Sequence, residues 1–181
     1  MSDAIVLVRH GRTRWNAEGR FLSRTDLPLS EDGAAEVRAR ARAFPLQPGL
    51  LWCSPMLRAR QTAELLFPQT IACLDAALRE VDFGSWEGRT GGDLRAGDPA
   101  GWAARQAAPS RFRAPGGERF DEVAERLAPL AAALRATRGV RVVVAHRTCL
   151  GVLERVLRGL PLDDPAVQPL DNVAWHVLPG R

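Results

Sequence analysis

Two runs of strand-forming residues constrain this chain more than any other feature: residues 4–8 (AIVLV) and Val140–Ala145 (VRVVVA). A strand with one wet face alternates apolar and polar residues. An almost unbroken apolar run is expected where both faces of the strand are covered, as in a parallel sheet flanked by helices. The segments between the two runs supply those helices. Ser30 is a candidate N-cap, with Glu31 and Asp32 in the first turn and Ala34, Val37, Ala41 and Phe44 at helical spacing. Residues 49–53 read as a second strand. Ser54-Pro55 reads as an N-cap and N1 pair opening a helix with Met56, Ala59, Ala63 and Leu66 inside. A third strand is expected near residues 70–74 and leads to Glu80.

Residues 84–117 are rich in Gly, Pro and Trp with weak periodicity, and read as an excursion of short helices. Trp86, Trp102 and Phe112 are candidates there for a pocket mouth or for local core. Beyond Glu118 a helix carries Phe120, Val123, Leu127 and Leu134 on one face, and Pro129 is expected to kink it. The Val140–Ala145 run is followed by a helix with Leu150, Leu153 and Leu157 inside and Gly159 past its end. Residues 172–177 read as the last strand. Strands alternating with helices over 181 residues predict one domain, a three-layer α/β/α sandwich with a mostly parallel central sheet.

Composition narrows the function classes. The chain has no Lys and no Tyr, so every basic side chain besides histidine is Arg, and the net charge is +4. That charge suits an anionic partner. No basic run is interleaved with aromatics, so nucleic acid is not the expected one. Cys53, Cys73 and Cys149 lie far apart without a C-x-x-C pair and read as buried reduced thiols. Residues 1–4 run straight into the first strand without a signal-peptide pattern, and no apolar stretch approaches the roughly 20 residues that span a bilayer. A soluble cytoplasmic protein is expected, with no membrane partner. Neither a metal site nor a cofactor is expected, because the three histidines and scattered carboxylates offer no ligand spacing.

Ligands of open parallel sheets bind beyond the carboxyl ends of the strands. His10 directly follows the first run and His146 directly follows Val140–Ala145. Arg9 and Gly11 flank His10, Arg58 falls in the first turn of its helix, and Glu80 follows the third strand. Two imidazoles, two guanidiniums and a carboxylate are thus expected at one sheet edge. Their chemistry matches a phosphate monoester. Guanidiniums hold the charge, a neutral imidazole attacks phosphorus, and a protonated carboxyl supplies the leaving alkoxide with its proton.

The residues around these positions carry a resemblance. Arg9-His10-Gly11 with Thr13 and Asn16 (RHGRTRWN) resembles the signature of the histidine phosphatase, or phosphoglycerate mutase-like, superfamily. Further blocks in the same order are similar to that family: residues 26–30 with Gly33, residues 53–63 (CSPMLRARQTA), residues 78–80 with Trp86-Glu87-Gly88, residues 115–118, and residues 144–146. The resemblance implies His10 as nucleophile and Glu80 as proton donor. It implies Arg9, Arg58 and His146 as phosphate ligands, with Asn16 and Thr13 assisting. Three departures from the family pattern stand out: Arg147 where Gly usually follows the second histidine, Leu22-Ser23 in place of a Gln-Gly pair, and Arg119 in place of Ser. Arg147 is a candidate substrate contact through its charge. The resemblance implies hydrolysis of a small phosphomonoester through a phosphohistidine, with the small phosphatases as the nearest branch. A phosphoglycerate mutase and a non-catalytic phospho-ligand-binding domain are the alternatives.

Overall fold

The computed structural model describes residues 3–180. Five strands form one sheet: β1 (Ala4–Arg9), β2 (Leu50–Cys53), β3 (Cys73–Leu74), β4 (Val140–Ala145) and β5 (Trp175–Pro179), in the order β3-β2-β4-β1-β5. The first four are parallel, and β5 closes one edge antiparallel to β1. Around the sheet lie α1 (Arg14–Ala17), α2 (Glu31–Ala41), α3 (Leu57–Leu66), α4 (Gly91–Gly97), α5 (Pro99–Ala107), α6 (Phe120–Ala136) and α7 (Arg147–Arg158). None of these helices is long and apolar enough to cross a membrane.

The two apolar runs behave as two-sided strands. Ile5 and Leu7 of β1, with Val143 and Ala145 of β4, join the core cluster containing Val123, Leu127, Leu150 and Leu153 of α6 and α7. The alternate residues Val6, Val8, Val142 and Val144 join Val37, Ala59, Ala63 and Leu66 of α2 and α3 on the other face. Burial of both strands is complete along their length. Arg141 is the one polar residue in the β4 run, and its burial has a local reason. Its guanidinium donates to the carbonyls of Leu134 (2.8 Å) and Thr137, satisfying acceptors that the end of α6 leaves open.

Several boundaries differ from the sequence reading. The Ser54-Pro55 pair does not open α3: the helix begins at Leu57 with Met56 as its cap. Ser54 serves the site instead, as described below. The third strand shrinks to two residues, because Thr70 to Ala72 run along an exposed edge with Ile71 in solvent. The last strand lies at 175–179 rather than 172–177, since Asn172 and Val173 are held by the loop that ends β1. α6 continues through Pro129 as one 17-residue helix. Cys53 and Cys149 are buried as expected, whereas Cys73 is exposed. Ser30 does cap α2, accepting from the Gly33 amide at 3.1 Å. Gly33 is required there: a Cβ would fall 2.1 Å from the Arg12 carbonyl oxygen, which itself accepts from Ser30 N.

Candidate active site

Register places the two histidines. β1 and β4 are paired with Arg9 opposite Ala145, and the His10 amide continues the ladder to the Ala145 carbonyl at 3.0 Å. His10 and His146 are therefore the next residues on adjacent parallel strands. Their rings meet edge to face with centroids 5.1 Å apart. Both are buried, 4 % and 0 % exposed.

His10 Nδ1 lies 2.7 Å from its neighbour's carbonyl, Gly11 O. A carbonyl only accepts, so Nδ1 carries the proton and Nε2 keeps its lone pair without a partner among the described residues. Burial, then Arg58 and Arg9, push the His10 pKa well below the ordinary histidine value. His146 is shifted the same way, by burial first and then by Arg58. The structure thus holds two neutral imidazoles. His146 Nε2 meets Ser54 Oγ at 2.8 Å, and its buried Nδ1 has no partner among the described residues.

The two buried arginines are clamped by carbonyls rather than by carboxylates. Arg9 donates from Nη1 to Leu170 O at 3.0 Å, and Arg58 donates to Thr25 O and Ser23 O, both at 3.0 Å. Each retains a buried Nε with no acceptor among the described residues. Burial lowers the Arg9 pKa to about 10, so the group stays charged at neutral pH. The loop that clamps Arg58 is itself tied down by Glu87. That carboxylate accepts from the amides of Ser23 (2.9 Å) and Thr25 (2.9 Å) and from the Ser23 hydroxyl. On the other side, Asn172 donates to the His10 carbonyl (2.9 Å), and Val173 N donates to Arg9 O. Val173 adopts φ 59°, a conformation costly for a β-branched residue that marks a constrained segment.

Glu80 reaches the site by caging the start of α7. Its Oε1 accepts from Val81 N (2.9 Å) and Cys149 N (2.8 Å), and its Oε2 accepts from Thr148 N (3.1 Å). Thr148 N and Cys149 N are orphan donors of the first turn of α7, a favourable place for a carboxylate. Oε1 has both lone pairs engaged, which leaves Oε2 as the oxygen able to exchange a proton.

A cavity of about 320 Å³ opens above these groups, with Arg9, His10, Asn16, Glu80, Arg105 and Arg147 on its wall. Arg58 and His146 lie beneath it, fully buried. Asn16 Oδ1 accepts from Thr13 N (3.1 Å) and Thr13 Oγ1 (3.0 Å), so its amide nitrogen is the group left for a ligand. Thr13 is fully buried as the N-cap of α1 and is not on the cavity wall. A larger hollow of about 490 Å³ at the opposite end of the sheet is lined by Ile5, Leu157, Leu178 and arginines, without nucleophile or acid. His176, the third histidine, pairs with Glu154 at 2.8 Å on β5. No group of three or more His, Cys, Asp or Glu able to hold a metal occurs among the described residues.

Sequence reasoning missed several participants. Ser54 has the pattern of a helix cap, which hid its bond to His146. Asn172 and the clamp on Arg58 arise from loops whose meeting no local pattern announces. Arg105 belongs to α5 in the weakly periodic excursion. Of the two roles expected for the aromatic candidates, local core holds: Trp86 is buried and packs with Trp102 and Phe112, while Phe21 and Phe83, which the sequence reading did not single out for the mouth, line the cavity.

Comparison with known proteins agrees with this geometry. The family model of the histidine phosphatase superfamily (branch 1) matches residues 5–180. A Salmonella choleraesuis protein named "Probable phosphoglycerate mutase GpmB" is 36% identical over 166 residues, 87% of this chain and 75% of that one. A mycobacterial glucosyl-3-phosphoglycerate phosphatase solved with VO3 superposes with a TM-score of 0.88 at 32% identity, covering 97% of this chain and 92% of its own. An alpha-ribazole phosphatase from Shigella flexneri gives 0.84 at 25% identity, over 96% and 89% of the two chains. Both fold and sequence therefore place the chain in the histidine phosphatase superfamily.

Proposed function

We propose that this protein hydrolyses small phosphomonoesters by passing the phosphoryl group through His10. The observation that carries the proposal is the convergence of buried nitrogens without partners among the described residues, Arg9 Nε, Arg58 Nε and His146 Nδ1, around a neutral His10 with a free Nε2. Arg60, Arg141 and Arg155 also leave one nitrogen unpaired, but they lie away from this cavity. Unsatisfied buried donors are destabilising unless something accepts from them. A phosphoryl dianion supplies several acceptors at once and selects the His146 tautomer with its proton on Nδ1, the Ser54 hydroxyl then donating to Nε2. The phosphatases that this chain resembles in fold support the same reading.

In the first step the His10 Nε2 lone pair forms a bond to phosphorus as the ester P–O bond breaks. The departing alkoxide takes its proton from Glu80 Oε2. In the second step the Glu80 carboxylate takes a proton from water, whose oxygen attacks phosphorus as the P–N bond breaks, releasing phosphate. Arg9, Arg58 and His146 hold the equatorial oxygens, where preorganised donors lower the barrier most. All the charge stabilisation in these steps comes from guanidinium and imidazole groups, so activity is expected to survive exhaustive chelation. Loss on EDTA treatment with recovery on adding Mg²⁺ would contradict that.

A mutase is the second reading, favoured by the name of the Salmonella relative. It differs in returning the phosphoryl group to a second hydroxyl rather than to water. Phosphate release from 3-phosphoglycerate, measured with and without 2,3-bisphosphoglycerate beside formation of the 2-isomer, separates the two. The hydrolase reading predicts phosphate release without need of the bisphosphate, and isomer formation outpacing release would overturn it.

A further inference from the structure

The cavity mouth carries more positive charge than one phosphoryl group uses. Arg20, Arg105 and Arg147 line it in addition to Arg9. Arg20 is committed elsewhere, to the Glu18 carboxylate and to Gly88 O at 2.7 Å. Arg105 and Arg147 have no carboxylate or carbonyl partner among the described residues. Arg105 projects from α5 and lies over the Phe21 ring, 5.1 Å from its centroid, a contact that fixes the side chain without neutralising it. Arg147 is the first residue of α7, where the helix dipole already makes a cation unfavourable. It is also close enough to Arg9 and Arg105 for its charge to lower the pKa of both, after burial. Glu80, the carboxylate on the same cavity wall, already has three backbone N–H donors on its two oxygens.

Two unpaired guanidiniums that repel one another beside a helix N-terminus are destabilising in the empty protein. An anion between them would reverse the sign. The transferred phosphoryl group has its own donors deeper in the cavity, on Arg9, Arg58 and His146. From this we infer that Arg105 and Arg147 form a second anion subsite, selecting phosphomonoesters that carry an additional carboxylate or phosphate a few bonds from the reacting phosphorus. The inference rests on the hydrolase reading for where the reacting phosphoryl lies, and on the rim geometry for the rest. It also gives a reason for Arg147 standing where the family pattern has Gly.

The test uses two compounds that differ only at the far end, 3-phosphoglycerate with a carboxylate and glycerol 3-phosphate with a hydroxymethyl group. Phosphate release gives kcat/KM for each, and calorimetry on the His10→Asn protein gives each Kd without turnover. The subsite predicts a preference of about tenfold or more for 3-phosphoglycerate, in line with a charge-assisted contact. Arg105→Gln and Arg147→Gln should each shrink that preference several-fold, and the double variant should abolish it. Both residues are at the cavity rim, and melting no lower than the parent's checks that the variants fold. Turnover of both compounds at equal kcat/KM, or a preference that survives in the double variant, overturns the subsite while leaving the hydrolase reading intact. A calorimetric preference lost in the double variant, with no turnover of either compound, supports the subsite and instead overturns hydrolysis.

Discussion

At the residue scale the site works by leaving particular atoms unpaired. His10 Nδ1 is fixed by Gly11 O so that Nε2 is free, and Glu80 Oε1 holds two backbone amides whereas Oε2 holds one and keeps a lone pair for a proton. The Glu80 role is testable through leaving groups. An alkoxide needs a proton to depart, whereas a nitrophenolate hardly does. Glu80→Gln should therefore slow glycerol 3-phosphate at least tenfold more than p-nitrophenyl phosphate. Equal losses on both would reduce Glu80 to a helix-start anchor. Glu87 was the other carboxylate near the motif, and its engagement with Ser23 and Thr25 gives it a positioning role through Arg58. Glu87→Ala should raise KM for any phosphomonoester more than it lowers kcat, because it frees the carbonyls that orient a phosphate ligand. Such dependence on two loops and one buried guanidinium cannot be read from spacing. What the sequence does carry is the residues that stand at the ends of regular elements: Arg9 closes β1, His10 and His146 directly follow β1 and β4, and Arg58 lies in the first turn of α3.

At the element scale the legible features were those set by periodicity. β1 and β4 were recognisable because both their faces are buried, and that two-sided burial fixes the adjacent strand ends where His10 and His146 stand. β3 and β5 were poorly placed because edge strands are half exposed and their ends are set by tertiary bonds. The excursion gave no period, because its order comes from an aromatic cluster drawn from separate turns. Trp86 is 1 % exposed, stacks at 4.6 Å from Phe112 and donates from its indole to Asp98 at 3.1 Å. Truncating a buried Trp typically destabilises by about 3–5 kcal/mol. Trp86→Ala should fall in that range by urea unfolding and should weaken binding of doubly anionic substrates, since α5 carries Arg105. A change below about 1 kcal/mol would mean that the cluster does not organise the excursion.

At the scale of the whole molecule, two buried neutral histidines make stability depend on pH. Their folded pKa values lie below the unfolded value, so between the two the unfolded chain binds more protons. The stabilisation is complete above the ordinary histidine range and is lost as pH falls through it, by roughly 1 kcal/mol per pH unit for each group. Melting should drop steadily from pH 7 to pH 5, and His10→Gln should flatten that slope. A flat profile in the parent protein would contradict neutral burial. The central claim, that the phosphoryl group visits His10, is tested most directly by trapping it. Protein mixed briefly with a 32P-labelled phosphomonoester and quenched in alkali should carry label that survives base, is released by acid, and maps to the peptide containing His10. His10→Ala should carry none and lose at least about three orders of magnitude in kcat. Undiminished turnover by His10→Ala, or label found on any other residue, would contradict the account.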